Sequence, residues 1–174
     1  MSRWEKVLDA TMLAHGAGLL AYARTLTGDG ELASTVVEDA LAAVFGRRAC
    51  PRDVDGALAE VQSAIRRAAV RVAADGSEAE SGARTASSAA PRVEESLRAL
   101  PVRERALLAM RYIDGLAVPA ICRETALHAG MVGDALTHAV EYLDAAHPEL
   151  RLDVHDALAG GALARDVVTI GDGW

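Results

Sequence analysis

From Leu100 to Thr125 the chain reads LPVRERALLAMRYIDGLAVPAICRET, and this stretch decides the fold. Pro101 ends a short helix over Val93 to Leu100 and prepares the first turn of a second over Arg103 to Ile113. Asp114-Gly115 makes a turn, and a short helix follows from about Val118 to Thr125. After Leu127-His128-Ala129 a longer helix is expected from about Gly130 to Ala145. Two helices joined by a turn of a few residues, the second one longer, make a helix-turn-helix.

Upstream, apolar residues recur at helical spacing almost without interruption. Trp4, Val7, Leu8, Met12 and Leu13 mark one expected face, continued by Leu19, Leu20, Ala23 and Leu26 after Gly16 and Gly18. Thr27-Gly28-Asp29-Gly30 is a stop signal, because glycine takes the left-handed conformation that ends a helix. A second helix is expected from Glu31 to Phe45, with Leu32, Val36, Val37, Ala40, Leu41 and Val44 inward. Gly46 to Val54 is a loop. A third helix over Asp55 to Ala73 carries Leu58, Val61, Ile65, Ala69 and Val72 on its apolar side, with Arg66, Arg67 and Arg71 on its other faces. No stretch alternates with the period of a strand, so the expected class is all-α.

Between these parts, Ala74 to Arg92 reads ADGSEAESGARTASSAAPR, without a single Leu, Ile, Val or aromatic. Such a segment cannot bury enough apolar surface to offset its ordering entropy and reads as a flexible linker. The expected organisation is therefore a helical domain at 1–73, a linker at 74–92, a helix-turn-helix domain at 93–146 and a tail at 147–174.

Hydrophobic residues make up 51% of the 174 and aromatics only 3%, which favours close small-residue helix contacts over an aromatic β core. No apolar run approaches the ~18 residues of a membrane span. Arg3, Glu5, Lys6 and Asp9 leave no room for a signal peptide, so a soluble cytoplasmic protein without membrane contact is expected. The formal net charge is -7, and Lys6 is the sole lysine among eighteen basic residues, so no global field draws the chain to polyanions. Cys50 and Cys122 lie far apart without a CxxC partner, and the five histidines form no HExxH. No metal, no cofactor and no catalytic array is expected, and nothing supports an enzyme.

Three groups of residues carry a resemblance. In the first unit these are Leu20-Ala21-Tyr22-Ala23, Leu26-Thr27-Gly28-Asp29 and Ala33, then Val36-Val37-Glu38-Asp39 through Leu41 and Phe45. In the second they are Leu97, Leu100-Pro101, Arg103-Glu104-Arg105, Leu107-Leu108, Arg111-Tyr112, Asp114-Gly115-Leu116 and Ile121. Together they resemble regions 2 and 4 of the extracytoplasmic-function class of bacterial RNA polymerase sigma factors, over about 20–73 and 93–143. The resemblance implies two small helical domains joined by a linker and a role in transcription initiation. It implies core RNA polymerase as partner of the Glu31–Phe45 helix, through Glu31, Thr35, Glu38 and Asp39. It implies promoter DNA along Arg66, Arg67 and Arg71 and at Met131, Asp134 and His138 of the last helix, and an anti-sigma factor as a regulatory partner.

The departures define a second reading. In the family the helix that reads DNA opens with a Thr-Val pair followed by Lys, Ser and Arg; here it reads Met131-Val132-Gly133-Asp134-Ala135, then His138, Glu141 and Asp144. Base reading draws on Arg, Lys, Asn or Gln, and Asp134 would meet a phosphate with like charge. After Phe45 the first unit has no aromatic to stack on a base. Thr35 and Glu38 stand where the clamp-binding helix of the family commonly has Asp and Gln. The alternative is a sigma-like mimic that binds an anti-sigma factor, polymerase or another protein without reading DNA. For Arg103-Glu104-Arg105 plain solvated charge is an equally good reading, and for Arg66, Arg67 and Arg71 an exposed helix face is the preferred one. The apolar residues Leu152, Val154, Leu158, Ala162, Leu163 and Val167, with Val168-Thr169-Ile170 and Trp174, suggest that the tail docks on one of the helical units.

Overall fold

A computed structural model describes residues 2–75 and 92–159, and these are helical with connecting turns, an all-α fold. The chain divides into two compact units, Met1–Asp75 and Gly76–Trp174. Most of the expected linker, and the tail from Gly160 to Trp174, lie outside the described residues. Among the described residues no helix is long and apolar enough to cross a membrane.

The N-terminal unit packs three helices against one another, α1 (Arg3–Thr27), α2 (Gly30–Phe45) and α3 (Val54–Asp75). Ser2 starts α1 with a capping box: its hydroxyl accepts from the Glu5 amide, and its own amide donates to the Glu5 carboxylate at 2.6 Å. The helix passes Gly16 and Gly18 without a break and stops at Gly28, whose φ of 73° is the left-handed cap foreseen from the sequence. Asp29 then caps α2 by accepting from the Leu32 amide at 2.8 Å. Two residues thus reverse the chain and set α1 beside α2. The core between the helices is small-residue rich, with Ala23, Ala33, Ala57 and Ala69 fully buried around Leu26, Val36, Val61 and Ile65.

The face expected for the start of α1 is wrong in part. Leu13 is 92% exposed and Trp4 41%, while Val7, Thr11, Leu19, Ala23 and Leu26 turn inward. These buried residues recur every four or so positions, and Met12 and Leu13 fall off that stripe. Thr11 tolerates burial because its hydroxyl donates to the Val7 carbonyl at 2.7 Å. In α2 and α3, Leu32, Leu41, Leu58 and Val72 are half-buried rather than inward, and Ala33, Ala57, Ala64 and Ala68 take the closest positions.

The C-terminal unit is built around one helix. α4 (Val93–Ala99), α5 (Val102–Tyr112) and α6 (Val118–Thr125) all pack on α7 (Ala129–Ala146). Leu107, Met110, Ile121, Leu136, Ala139 and Leu143 are buried there. Gly115, at φ 66°, ends the α5 turn and lets the Leu116 amide donate back to the Met110 carbonyl at 3.0 Å. α6 ends at Ala126, which is held left-handed at φ 59°. A 3₁₀ turn (Pro148–Leu150) follows α7, and a last short helix, α8 (Val154–Leu158), returns to pack on it. The described part of the tail, residues 147–159, therefore docks on the C-terminal unit.

Candidate functional site

On the N-terminal unit, α2 turns Val36, Val37, Ala40 and Val44 inward and leaves Glu31, Thr35, Glu38 and Asp39 exposed along its outer side. The Thr35 hydroxyl is occupied by its own helix, donating to the Glu31 carbonyl at 3.2 Å. Glu31, Glu38 and Asp39 form no ion pair with another described residue. The four expected partner-binding residues thus form one exposed strip on α2, three carboxylates without an ion pair among the described residues and Thr35 between them. Glu31 in the first turn also complements the positive end of the α2 dipole.

Arg67 and Arg71 are exposed one turn apart on α3, and Arg66 is half-buried. Arg67 lines a shallow groove of about 300 Å³ with Arg47, Ala59, Glu60 and Ser63, and the Arg47 guanidinium pairs with Glu60 in it. The strip is therefore not purely basic.

A second groove, about 370 Å³, lies at the end of α2 and was not visible in the sequence. Arg3 and Trp4 from the start of α1 meet Arg48, Ala49, Cys50, Pro51 and Arg52 of the α2–α3 loop. The Arg3 guanidinium donates to the Arg52 carbonyl at 3.4 Å. Three arginines and no carboxylate are among the residues lining this groove, and the exposed Trp4 indole supplies the aromatic that the first unit lacks after Phe45. Only the doubling-back of α1 and α2 joins positions forty-odd residues apart, so spacing alone gives no signal of it.

On the C-terminal unit, Met131, Asp134 and His138 occur at i, i+3 and i+7 of α7, and all three are exposed. One ring nitrogen of His138 is engaged within the unit: its Nδ1 lies 2.8 Å from the Glu104 carboxylate of α5, while the side chain stays exposed. Glu141 and Tyr142 continue the same exposed side, and α7 contains no arginine or lysine. The outer surface of the second helix of the motif is thus acidic and partly apolar.

The reading of Arg103-Glu104-Arg105 as solvated charge is corrected for Arg105, which is buried. Its guanidinium donates to the carbonyls of Leu97 at 2.7 Å, Arg98 at 3.0 Å and Leu100, closing the end of α4 against α5. Burial pushes its pKa down, with the nearby Arg98 charge adding to the effect. Arg111 is fully buried as well. It donates to the Leu116 carbonyl at 3.0 Å, the Asp156 carbonyl at 2.7 Å and the Ala159 carbonyl at 3.3 Å, so it holds α8 by its C-terminal end.

An array of hydrolytic appearance also forms that the sequence does not reveal. Ser96 Oγ lies 2.8 Å from His147 Nε2, and His147 Nδ1 lies 3.2 Å from the Glu149 carboxylate. The carboxylate accepts from Nδ1–H, so Nε2 is the acceptor and the Ser96 hydroxyl donates. Ser96 is 2% exposed and His147 5%, so a substrate carbonyl has no approach, and the array serves as a clasp between α4 and the end of α7. Asp153, His155 and Asp156 lie close together at the start of α8, all exposed, with Asp153 already used as the helix cap.

The chain matches no family model, no curated protein and no solved structure.

Proposed function

We propose that the chain is a sigma-like regulator of transcription initiation that binds core RNA polymerase through α2 and addresses promoter DNA through the α6–α7 helix-turn-helix. The observation that carries this reading is the α2 strip of Glu31, Thr35, Glu38 and Asp39, exposed together and without cationic partners in the described chain. A strip of this kind fits a basic protein surface, where charge complementarity sets encounter rate and register. The Arg3, Trp4, Arg48 and Arg52 groove adds cationic and stacking groups of the kind that hold a single strand. A second reading is favoured by α7, whose exposed Asp134 and Glu141 oppose phosphate contact and which carries no arginine or lysine. In it the chain is a sigma-like mimic that engages polymerase or an anti-sigma factor without reading DNA.

The experiment is a binding measurement of the full chain with core polymerase. Glu38→Lys combined with Asp39→Lys is expected to weaken binding by ~2 kcal/mol or more. Unchanged binding of the double variant removes α2 as the contact.

A further inference from the structure

We infer that residues 147–159 form a latch on the Gly133 flank of α7, beside the exposed Met131, Asp134 and His138, whose bulk and charge keep duplex DNA from docking on that helix. The inference rests on the reading of α6–α7 as a helix-turn-helix, in which the N-terminal residues of the second helix approach the bases. Gly133 is the fifth residue of α7, and a methyl group built on it would meet Leu158 Cδ2 of α8 at 3.9 Å, which is ordinary contact. α8 therefore lies against the first turns of this helix. Its seat is made by packing and by hydrogen bonds: Ala157 is fully buried, and the buried Arg111 guanidinium takes the Asp156 and Ala159 carbonyls.

The cover also carries charge of the wrong sign for DNA. Glu149, Asp153 and Asp156 are exposed on this short segment, against Arg151 and His155, beside a helix that already presents Asp134. A phosphate approaching the α7 flank meets bulk and carboxylates together. The anchor is a cation held by helix-end carbonyls, and five residues of helix carry little stability of their own, so release costs less than unfolding the unit.

The test compares the full chain with two neutral release variants, Ala157→Gln at the buried contact and Leu158→Ser at the half-exposed one. Hydrogen exchange of the Val154–Ala159 amides reads the latch itself: the parent should be protected about tenfold or more over the release variants. Affinity for a 30-base-pair duplex (about three helical turns) at low salt should then rise about fivefold or more on release. The same comparison in an Asp134→Arg, Glu141→Arg background separates this inference from the functional reading. A rise on release in that background alone keeps the latch and removes DNA reading from the native chain. Fast exchange across Val154–Ala159 in the parent overturns the latch, and so does release without a gain in duplex affinity in both backgrounds.

Discussion

Ser96 and His147, fifty-one positions apart in the chain, meet at 2.8 Å inside the C-terminal unit and join its first helix to the end of its longest one. Both groups are buried, so the hydroxyl and Nε2 depend on each other, while Nδ1 is held by Glu149. Ser96→Ala should therefore cost ~1–2 kcal/mol, the range for leaving a buried acceptor unpaired. Urea denaturation measures it, and an unchanged midpoint removes the clasp.

Arg105 should be far less replaceable than its place in a charged triplet suggests. Its flat fork reaches three carbonyls at once, which a lysine ammonium on a flexible stem cannot reproduce. Arg105→Lys and Arg105→Ala are both expected to destabilise by ~2–4 kcal/mol. Thermal melting of the two variants checks this, and full retention of stability by the lysine variant refutes it.

Ala126 sits left-handed between α6 and α7, a conformation that costs an L-residue ~1–2 kcal/mol. Glycine adopts it without strain but loses more freedom on folding, by ~0.5–1 kcal/mol. Ala126→Gly should thus stabilise by ~0.5–1 kcal/mol, visible as a higher denaturation midpoint. A lower midpoint would mean that the turn is not left-handed in solution.

Tyr112 gives the fold an alkaline limit. Burial pushes its phenol above the ordinary value of 10.0, opposed by Arg111 and assisted by Asp156 and Asp153. The folded state therefore holds this proton more tightly than the unfolded chain. The contribution is complete below pH 10 and is lost as pH rises toward the folded pKa. The phenol oxygen is buried without a hydrogen-bond partner among the described residues. Tyr112→Phe should hold its stability at neutral pH and flatten the decline above pH 10, as read by melting between pH 8 and about pH 11.

Duplex DNA alone should be a poor ligand of the unmodified chain. A protein neutralising several phosphates shows a steep fall of log affinity with log salt, whereas the α7 surface offers Asp134 and Glu141. A salt titration of the full chain should give a shallow slope and weak binding. Submicromolar affinity with a steep slope would restore an ordinary DNA-reading role to α7.

Helix positions were legible wherever punctuation and period agreed. The helix at Val118–Thr125 stands where the sequence places it, and Gly28 ends α1 as its neighbours require. The inward side of α1 was not legible, because hydropathy favours Met12 and Leu13 while close helix contact selects Ala23 and a self-satisfied Thr11. Arg105 was misjudged, and the burial of Arg111 was not foreseen, for a related reason. Composition counts an arginine as surface, and only the folded chain supplies the helix-end carbonyls that make its burial tolerable. The candidate residues on α2 and α7 could be placed in advance, since one helix holds each set. The Arg3, Trp4 and Arg52 groove and the Ser96–His147 clasp could not, since each joins segments that only topology brings together.

α2 separates charge along its own axis. It is sixteen residues, about 24 Å, with Glu31 in its first turn and Arg48 just beyond its end, where Arg3 and Arg52 add to it. α2 and the loop after it thus carry charge of opposite sign at their two ends. Charge separated in this way feels a torque in the field of a charged surface before contact, and added salt shortens the distance over which such alignment acts.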